Sequence, residues 1–151
     1  MTTEELKTVL QTEYPSVQFE DGNEWLTVYV DASLWHEFAG KLRVDENKSF
    51  DYLFCLTCVD WKTHLTMVYH LTSIQFRHFI VVKSKLDRTN PEINSVTDIW
   101  KTAEFHEREV YELFGVKFQG HPDLRKLILP DDWMGFPLRK DYEDPVNMIK
   151  L

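Results

Sequence analysis

The stretch EREVYELFG, residues 107–115, alternates charged and large apolar side chains in a way that predicts a helix with two chemically different sides. Apolar residues recur at helical spacing from Thr97 to Phe114, and Gly115 stands where a left-handed glycine commonly ends a helix. At about 100° per residue, one side of this helix carries Trp100, Ala103, Val110, Tyr111 and Phe114. We therefore predict a helix over residues 97–114.

Glu107 falls in the middle of that apolar side, where a carboxylate must be paired, neutral or turned toward a partner. We predict that it is buried and ionised beside an Arg or Lys. Glu104, Arg108 and Glu112 form a neighbouring row at i, i+4 spacing, which is typical of a solvated surface. We further predict that the helix lies between its own core and another chain. The candidate cations for Glu107 within the chain are Arg77, Arg125 and Arg139.

The sequence before this helix predicts an α+β fold, with helices packed on a largely antiparallel sheet. Thr2 and Glu5 form the capping box of a first helix, and Asp31 is the expected N-cap of a second. Short connections between the later strands favour an antiparallel meander. The expected strands are residues 17–20, 25–30, 50–59, 65–71 and 76–83.

The composition of the chain changes after Gly115. Prolines at positions 122, 130, 137 and 145 exclude a long helix or a central strand. The segment is nevertheless rich in large apolar residues, which disordered tails lack. We predict a compact α+β domain over residues 1–115 and a long, irregular C-terminal arm over residues 116–151 that contacts partner subunits.

Charge and hydropathy exclude several classes of function. The formal net charge is −8 over 151 residues, which argues against a nucleic-acid partner. The longest nearly apolar run, Tyr52–Val59, is far shorter than the ~20 residues of a membrane-spanning helix. The acidic start MTTEELKTVL has no signal-peptide pattern. We expect a cytoplasmic chain without direct membrane insertion.

Residues that could carry chemistry are few. HEREV, from His106 to Val110, has only the first His-Glu of a zinc-binding H-E-x-x-H motif, because Val110 replaces the second His. CLTC contains a lone C-x-x-C, but Cys55 and Cys58 lie in a predicted strand, where residues three apart face opposite sides. We expect two reduced core cysteines, no metal, and no catalytic residue or cofactor in this chain.

Two longer motifs carry a family resemblance. E-R-E-x-x-E-L-F over residues 107–114, followed by spaced His and Arg residues, and D-W-x-G-x-P-L-R-K-D-Y over residues 132–142 resemble the C subunit of respiratory complex I. This family is also called the 30-kilodalton subunit of the proton-pumping NADH:quinone oxidoreductase. The charged motif residues, which we expect to serve the subunit interface, are Glu107, Arg108, Glu109, Glu112, His121, Arg125, Arg139, Lys140 and Asp141.

The resemblance implies a non-catalytic assembly subunit in the hydrophilic arm of that complex. Such a subunit packs beside the D and B subunits of complex I on the cytoplasmic side of the cell (inner) membrane. FMN and iron–sulfur clusters belong to partner subunits, and electron transfer from NADH to quinone is coupled to proton translocation. Two alternatives stay open. One is a homologous subunit of a membrane-bound hydrogenase or of another donor:quinone oxidoreductase, and the other is a free-standing small binding protein.

Replacing Cys55 and Cys58 together by Ala should leave electron transfer by the assembled complex unchanged, because the predicted strand keeps the two thiols from sharing a metal. The test is the iron–sulfur electron paramagnetic resonance spectrum of complexes containing the double variant. Loss of a cluster signal from a correctly assembled complex would contradict the expectation.

Overall fold

A computed structural model describes residues 1–149 and shows three helices on one sheet. The elements are α1 (Thr3–Glu13), β1 (Gln18–Glu20), β2 (Leu26–Tyr29), α2 (Trp35–Val44), β3 (Tyr52–Asp60), β4 (Leu65–Thr72), β5 (Phe79–Leu86), β6 (Glu92–Asn94), α3 (Ala103–Phe114) and β7 (Lys117–Gln119). The main sheet has the order β1-β2-β5-β4-β3, and only the β2–β5 pair is parallel. The predicted α+β class and the β3–β4–β5 meander are confirmed.

The hydrophobic core lies between the three helices and one face of the sheet. Trp35 of α2 is at its centre, with ring centroids 4.4 Å from Tyr69 of β4 and 6.3 Å from Trp100 before α3. Helix α1 adds Leu6 and Leu10 to the same cluster. Because each large apolar side chain contributes roughly 1.5–3 kcal/mol when buried, this core fixes the position of α3.

The two cysteines lie on opposite faces of β3, as the strand spacing predicts. Cys58 is paired with the buried Met67 on the helix-covered face, whereas Cys55 is paired with His70 on the open face. Burial raises the pKa of the Cys58 thiol to about 12 and also raises that of Cys55. The expectation of two core cysteines was wrong for Cys55, which is only half-buried.

Two of the three predicted helix-capping residues are confirmed. The Thr2–Glu5 capping box is present, and Gly115 ends α3 with a φ of 79° while its N–H donates to the Tyr111 carbonyl. Asp31 is not the N-cap of α2, because its carboxylate accepts hydrogen bonds from Ser33 in a preceding turn. The longest helix has 12 residues, and no helix within residues 1–149 has the length and apolar character needed to cross a membrane.

Tertiary contacts move two predicted boundaries. Helix α3 begins at Ala103 rather than Thr97, because residues 97–102 form turns in which Trp100 Nε1 donates to the Phe50 carbonyl and Thr102 Oγ1 to the Leu53 carbonyl. Strand β5 begins at Phe79, three residues after its predicted start, because residues 73–78 form a turn.

A pair of three-residue strands follows the main sheet and was not predicted. Strands β6 and β7 are parallel, and β7 lies just beyond the expected domain end at Gly115. Residues 120–149 form neither helix nor strand. The division into a domain and a partner-binding arm stays a prediction.

Gly115 and Gly120 allow a matched test of how closely the C-terminal segment packs on α3. Both have left-handed φ values, +79° and +81°, but only at Gly115 would an added Cβ meet Phe136, at 2.6 Å. Gly120→Ala should lower the free energy of unfolding by about 1–2 kcal/mol, because a non-glycine residue is strained there. Gly115→Ala should lower it further, because the Phe136 ring must also move. Urea unfolding measures both, and equal losses would show that Phe136 does not rest on Gly115.

Candidate functional site

Glu107 is fully buried on the core side of α3, as predicted, but its partners are not the predicted Arg or Lys. Its carboxylate accepts a 2.7 Å hydrogen bond from Ser95 Oγ and a 2.8 Å bond from the Val96 N–H. Burial raises the pKa of Glu107 to about 7, although these two hydrogen bonds act in the opposite direction. Glu107 therefore fastens the turn before α3 to the helix itself.

His121 lies next to Glu107, with Nε2 3.9 Å from the carboxylate. Its Nδ1 accepts a hydrogen bond from the Asp123 N–H, so Nε2 carries the proton and donates to the Glu104 carbonyl. The imidazole thus connects the start of the C-terminal segment to the first turn of α3. Within residues 1–149, no three His, Cys, Asp or Glu side chains are grouped so that they could hold a metal ion.

Arg108 and Glu112 form the centre of the site, and the prediction that their row is solvated was wrong. Their exposed fractions are 5% and 2%. Arg108 donates from Nε and Nη2 to the carbonyls of Arg125 and Lys126, each at 3.0 Å. The Glu112 carboxylate accepts from three successive backbone N–H groups, those of residues 127–129, at 2.9 to 3.1 Å. The two side chains supply the backbone partners that an irregular segment cannot supply for itself.

Lys126 closes the segment that Arg108 and Glu112 hold. Its ammonium group donates to the carbonyls of Asp131 at 3.0 Å and Trp133 at 2.8 Å, with a longer bond to Pro130. Residues 126–133 therefore form a loop whose backbone is bonded on both sides. We call it the 126–133 loop.

A second group of charged residues fixes the end of the C-terminal segment. The carboxylate of Asp60, at the end of β3, accepts hydrogen bonds from Nε and Nη2 of Arg88 and from the Lys140 N–H. The Arg88 hydrogen bonds hold the pKa of the Asp60 carboxyl well below its usual range. Arg88 also donates to Asp141 at 3.0 Å, and Arg139 Nε donates to the Phe114 carbonyl at 2.6 Å.

The motif residues thus fall into inward-facing and outward-facing sets. The side chains that bind the chain's own backbone are Glu107, Arg108, Glu112, His121 and Arg139. The exposed residues are Glu109, Arg125, Lys140 and Asp141. Contacts of any of these residues with a partner stay a prediction. Sequence reasoning missed Arg88, Ser95 and Lys126, which belong to no motif. Arg88 and Ser95 act through tertiary contacts, and Lys126 through carbonyls later in its own loop.

Large apolar side chains remain exposed around this network. Ile128, in the 126–133 loop, is 69% exposed. The others on α3 and on residues 116–140 of the C-terminal segment are Phe105, Leu127, Met134, Phe136 and Leu138. Large exposed apolar patches are typical of protein–protein contacts.

Comparison with known families agrees with the fold and the motif positions. The family model described as the 30 Kd subunit of respiratory-chain NADH dehydrogenase matches residues 28–146, most of the chain. The chain belongs to this family. The match begins within β2 and includes every later element from α2 to β7 and every charged motif residue discussed above.

Relatives of this chain occur both as separate chains and as parts of longer ones. An NADH-quinone oxidoreductase C subunit from Moorella thermoacetica is 40% identical over 135 residues, covering 88% of this chain and 90% of the relative. A fused C/D subunit of NADH-quinone oxidoreductase from Phocaeicola vulgatus is 47% identical over 126 residues, covering 82% of this chain but only 24% of the relative. The chain therefore spans about a quarter of the fused relative.

Two solved structures share the fold. Nqo5, solved as a trypsin-resistant fragment (1-134), has a TM-score of 0.68 at 28% identity, covering 79% of this chain and 98% of that one. A chain of a membrane-bound sulfane sulfur reductase, an archaeal respiratory membrane complex, has a TM-score of 0.78 at 28% identity, covering 93% and 85%.

Glu112→Ala should lower the free energy of unfolding by about 1–3 kcal/mol, because three backbone N–H groups lose their acceptor. Glu112→Gln keeps one carbonyl oxygen and should be milder. Glu109 is the control, since it lies exposed on the same helix, and Glu109→Ala should stay within about 0.5 kcal/mol. Urea unfolding of the three variants measures this, and similar values for Glu109→Ala and Glu112→Ala would contradict it.

Glu107 should make stability fall as pH rises toward 7. Its pKa is about 7 in the folded chain against an ordinary 4.5, so the folded state binds the proton more tightly. The free energy of unfolding should therefore decrease between about pH 4.5 and 7, by roughly 3 kcal/mol in all at ~1.4 kcal/mol per unit. Glu107→Gln keeps the shape and should remove this component. Urea unfolding from about pH 4.5 to pH 8 tests it, and identical pH slopes for both proteins would refute it.

Proposed function

We propose that this chain is the C subunit of an NADH:quinone oxidoreductase, complex I, and acts as an assembly subunit of its hydrophilic arm. The observation that carries the proposal is the arrangement of Arg108 and Glu112. Both bind the backbone of the C-terminal segment, which leaves apolar side chains such as Ile128 facing outward. A group intended for proton or electron chemistry would instead face a substrate cavity.

The proposed assembly supplies the chemistry of the reaction through its other subunits. FMN and iron–sulfur clusters in partner subunits carry electrons from NADH to quinone, and the complex couples this transfer to proton translocation. The positions of Cys55 and Cys58 support the assignment, because thiols on opposite faces of a strand cannot ligate one cluster together. The chain contributes surfaces that hold neighbouring subunits in place.

The D and B subunits are the proposed neighbours. Relatives named as C/D fusions join a chain like this one to a second, larger part, and such fusion supports a direct contact between the C and D subunits. The proposal for the B subunit rests on the family resemblance. The assembly is placed peripherally on the cytoplasmic side of the cell (inner) membrane, held there by membrane-embedded partners.

A second candidate is a homologous subunit of a membrane complex with another electron donor, such as a hydrogenase. The fold shared with a chain of the sulfane sulfur reductase favours it, because that match covers 93% of this chain at a TM-score of 0.78. The two candidates differ in the electron-input subunits and make the same demands on the surfaces described here.

Purification through an N-terminal affinity tag, which leaves the C-terminal segment free, distinguishes the candidates. Mild detergent extraction followed by mass spectrometry should identify the D and B subunits together with flavin- and NADH-binding subunits, and the preparation should reduce quinone with NADH. A nickel-site or sulfur-reducing large subunit in their place would favour the second candidate. Recovery of the chain alone from intact membranes would contradict both and favour a free-standing binding protein.

A further inference from the structure

The exposed apolar residues over α3 form one surface, which we call the docking face. It consists of Phe105, Leu127, Ile128, Met134, Phe136 and Leu138. The Arg108 guanidinium lies 5.7 Å from the Phe105 ring and binds the backbone just before Leu127. Further along α3, the Leu138 N–H donates to the Leu113 carbonyl. The docking face therefore follows α3 from its first turn to its last.

The 126–133 loop of the docking face is held in one conformation by hydrogen bonds to its backbone. Glu112 binds the N–H groups of residues 127–129, Arg108 binds the two carbonyls before them, and Lys126 binds the carbonyls after them. A loop fixed in this way loses little conformational entropy when a partner covers it. Ile128 then acts as a preformed anchor rather than as part of a loose tail.

The course of the chain indicates which partner covers this face. After Asp141 the chain returns to the 126–133 loop, and Tyr142, Glu143 and Pro145 line one hollow of about 460 Å³ with Pro130 and Trp133. Residues 142–145 therefore lie beside the docking face. Relatives named as C/D fusions carry a C-like part and a further part in one polypeptide, which favours the D subunit as the partner that covers this face.

The aromatic side chains on the open face of the sheet offer a weaker docking surface. Trp25, Phe54 and Phe79 lie on the open face of the sheet, but their rings pack on one another at centroid distances of 5.1 to 6.1 Å. These rings already cover much of each other's area. Ile128 belongs to the hydrogen-bonded 126–133 loop, which also carries the exposed carboxylates of Asp131 and Asp132. The charge favours an apolar pocket with a basic rim as its counterpart.

We propose that the docking face is the surface on which the D subunit binds, with Ile128 inserted as the central anchor. Arg108 and Glu112 are positioning residues: they hold the 126–133 loop and do not contact the partner. The inference rests on the proposed function and adds to it the face that is used, the anchor and the role of the buried motif charges.

Ile128→Asp and Ile74→Asp provide a matched test, because Ile74 lies in the β4–β5 turn with 67% exposure against 69% for Ile128. The probe is the D subunit of the same organism, produced together with each variant and captured through a tag on this chain. Affinity for the D subunit should fall at least tenfold for Ile128→Asp and stay within twofold for Ile74→Asp. Ile128→Ala should weaken binding in the same direction with no new charge. Unfolding midpoints close to the parent protein's confirm that the variants fold.

A double-variant cycle tests the positioning role of Arg108. If Arg108 acts only through the loop, Arg108→Ala should weaken binding to the D subunit strongly when Ile128 is present and little in the Ile128→Ala background. Additive effects would show that Arg108 contacts the D subunit directly or acts elsewhere, and would overturn its assignment as a positioning residue.

The outcomes of these experiments distinguish an error in the docking face from an error in the proposed function. Normal capture of the D subunit by both Asp variants would overturn the docking face while leaving the proposed function intact. Equal losses for both variants would also overturn it, since binding would then not be specific to this face. Failure of the parent chain to capture the D subunit would overturn the inference and the proposed contact between the two subunits together.

Discussion

Backbone groups of an irregular segment need hydrogen-bond partners, and in this fold two side chains of one helix supply them. Glu112 accepts three successive N–H groups and Arg108 donates to the two carbonyls that precede them. Both side chains are buried beneath the segment they bind. The segment can therefore keep one conformation without a helix or strand of its own, and its apolar side chains are free to face outward.

Charged side chains also bind the backbone at the other end of the C-terminal segment. The Asp60 carboxylate pairs with Arg88 and accepts the Lys140 N–H, while Arg139 binds the carbonyl that ends α3. Buried charges stabilise a fold only when they are fully paired. Here Asp60 is paired with the Arg88 guanidinium, and Arg108 and Glu112 are paired with backbone groups. The charges that look like surface decoration in the sequence hold the C-terminal segment to the domain.

The structural features that the sequence predicts correctly are those that depend on local residue spacing. The capping box of α1, the glycine that ends α3, the meander and the opposite faces of the two cysteines all follow from spacing within a few residues. The start of α3 was misplaced because contacts of Trp100 and Thr102 with residues about fifty positions away override the helical pattern. The burial of Arg108 and Glu112 could not be predicted, since helical spacing shows which residues share a side and not what later covers it. Glu107 was correctly placed in the core, but its partners, Ser95 and Val96, come from a turn that no pattern marks.

Amide hydrogen exchange of the isolated chain, resolved by residue, tests the central claim most directly. The N–H groups of Leu127, Ile128 and Leu129 belong to no helix or strand, yet all three donate to Glu112. They should exchange roughly a hundredfold or more slowly than those of Val146 and Asn147, whose hydrogen bonds to Asp144 are exposed. Exchange of residues 127–129 as fast as that of Val146 and Asn147 would show that Glu112 does not hold the loop, and would contradict the account.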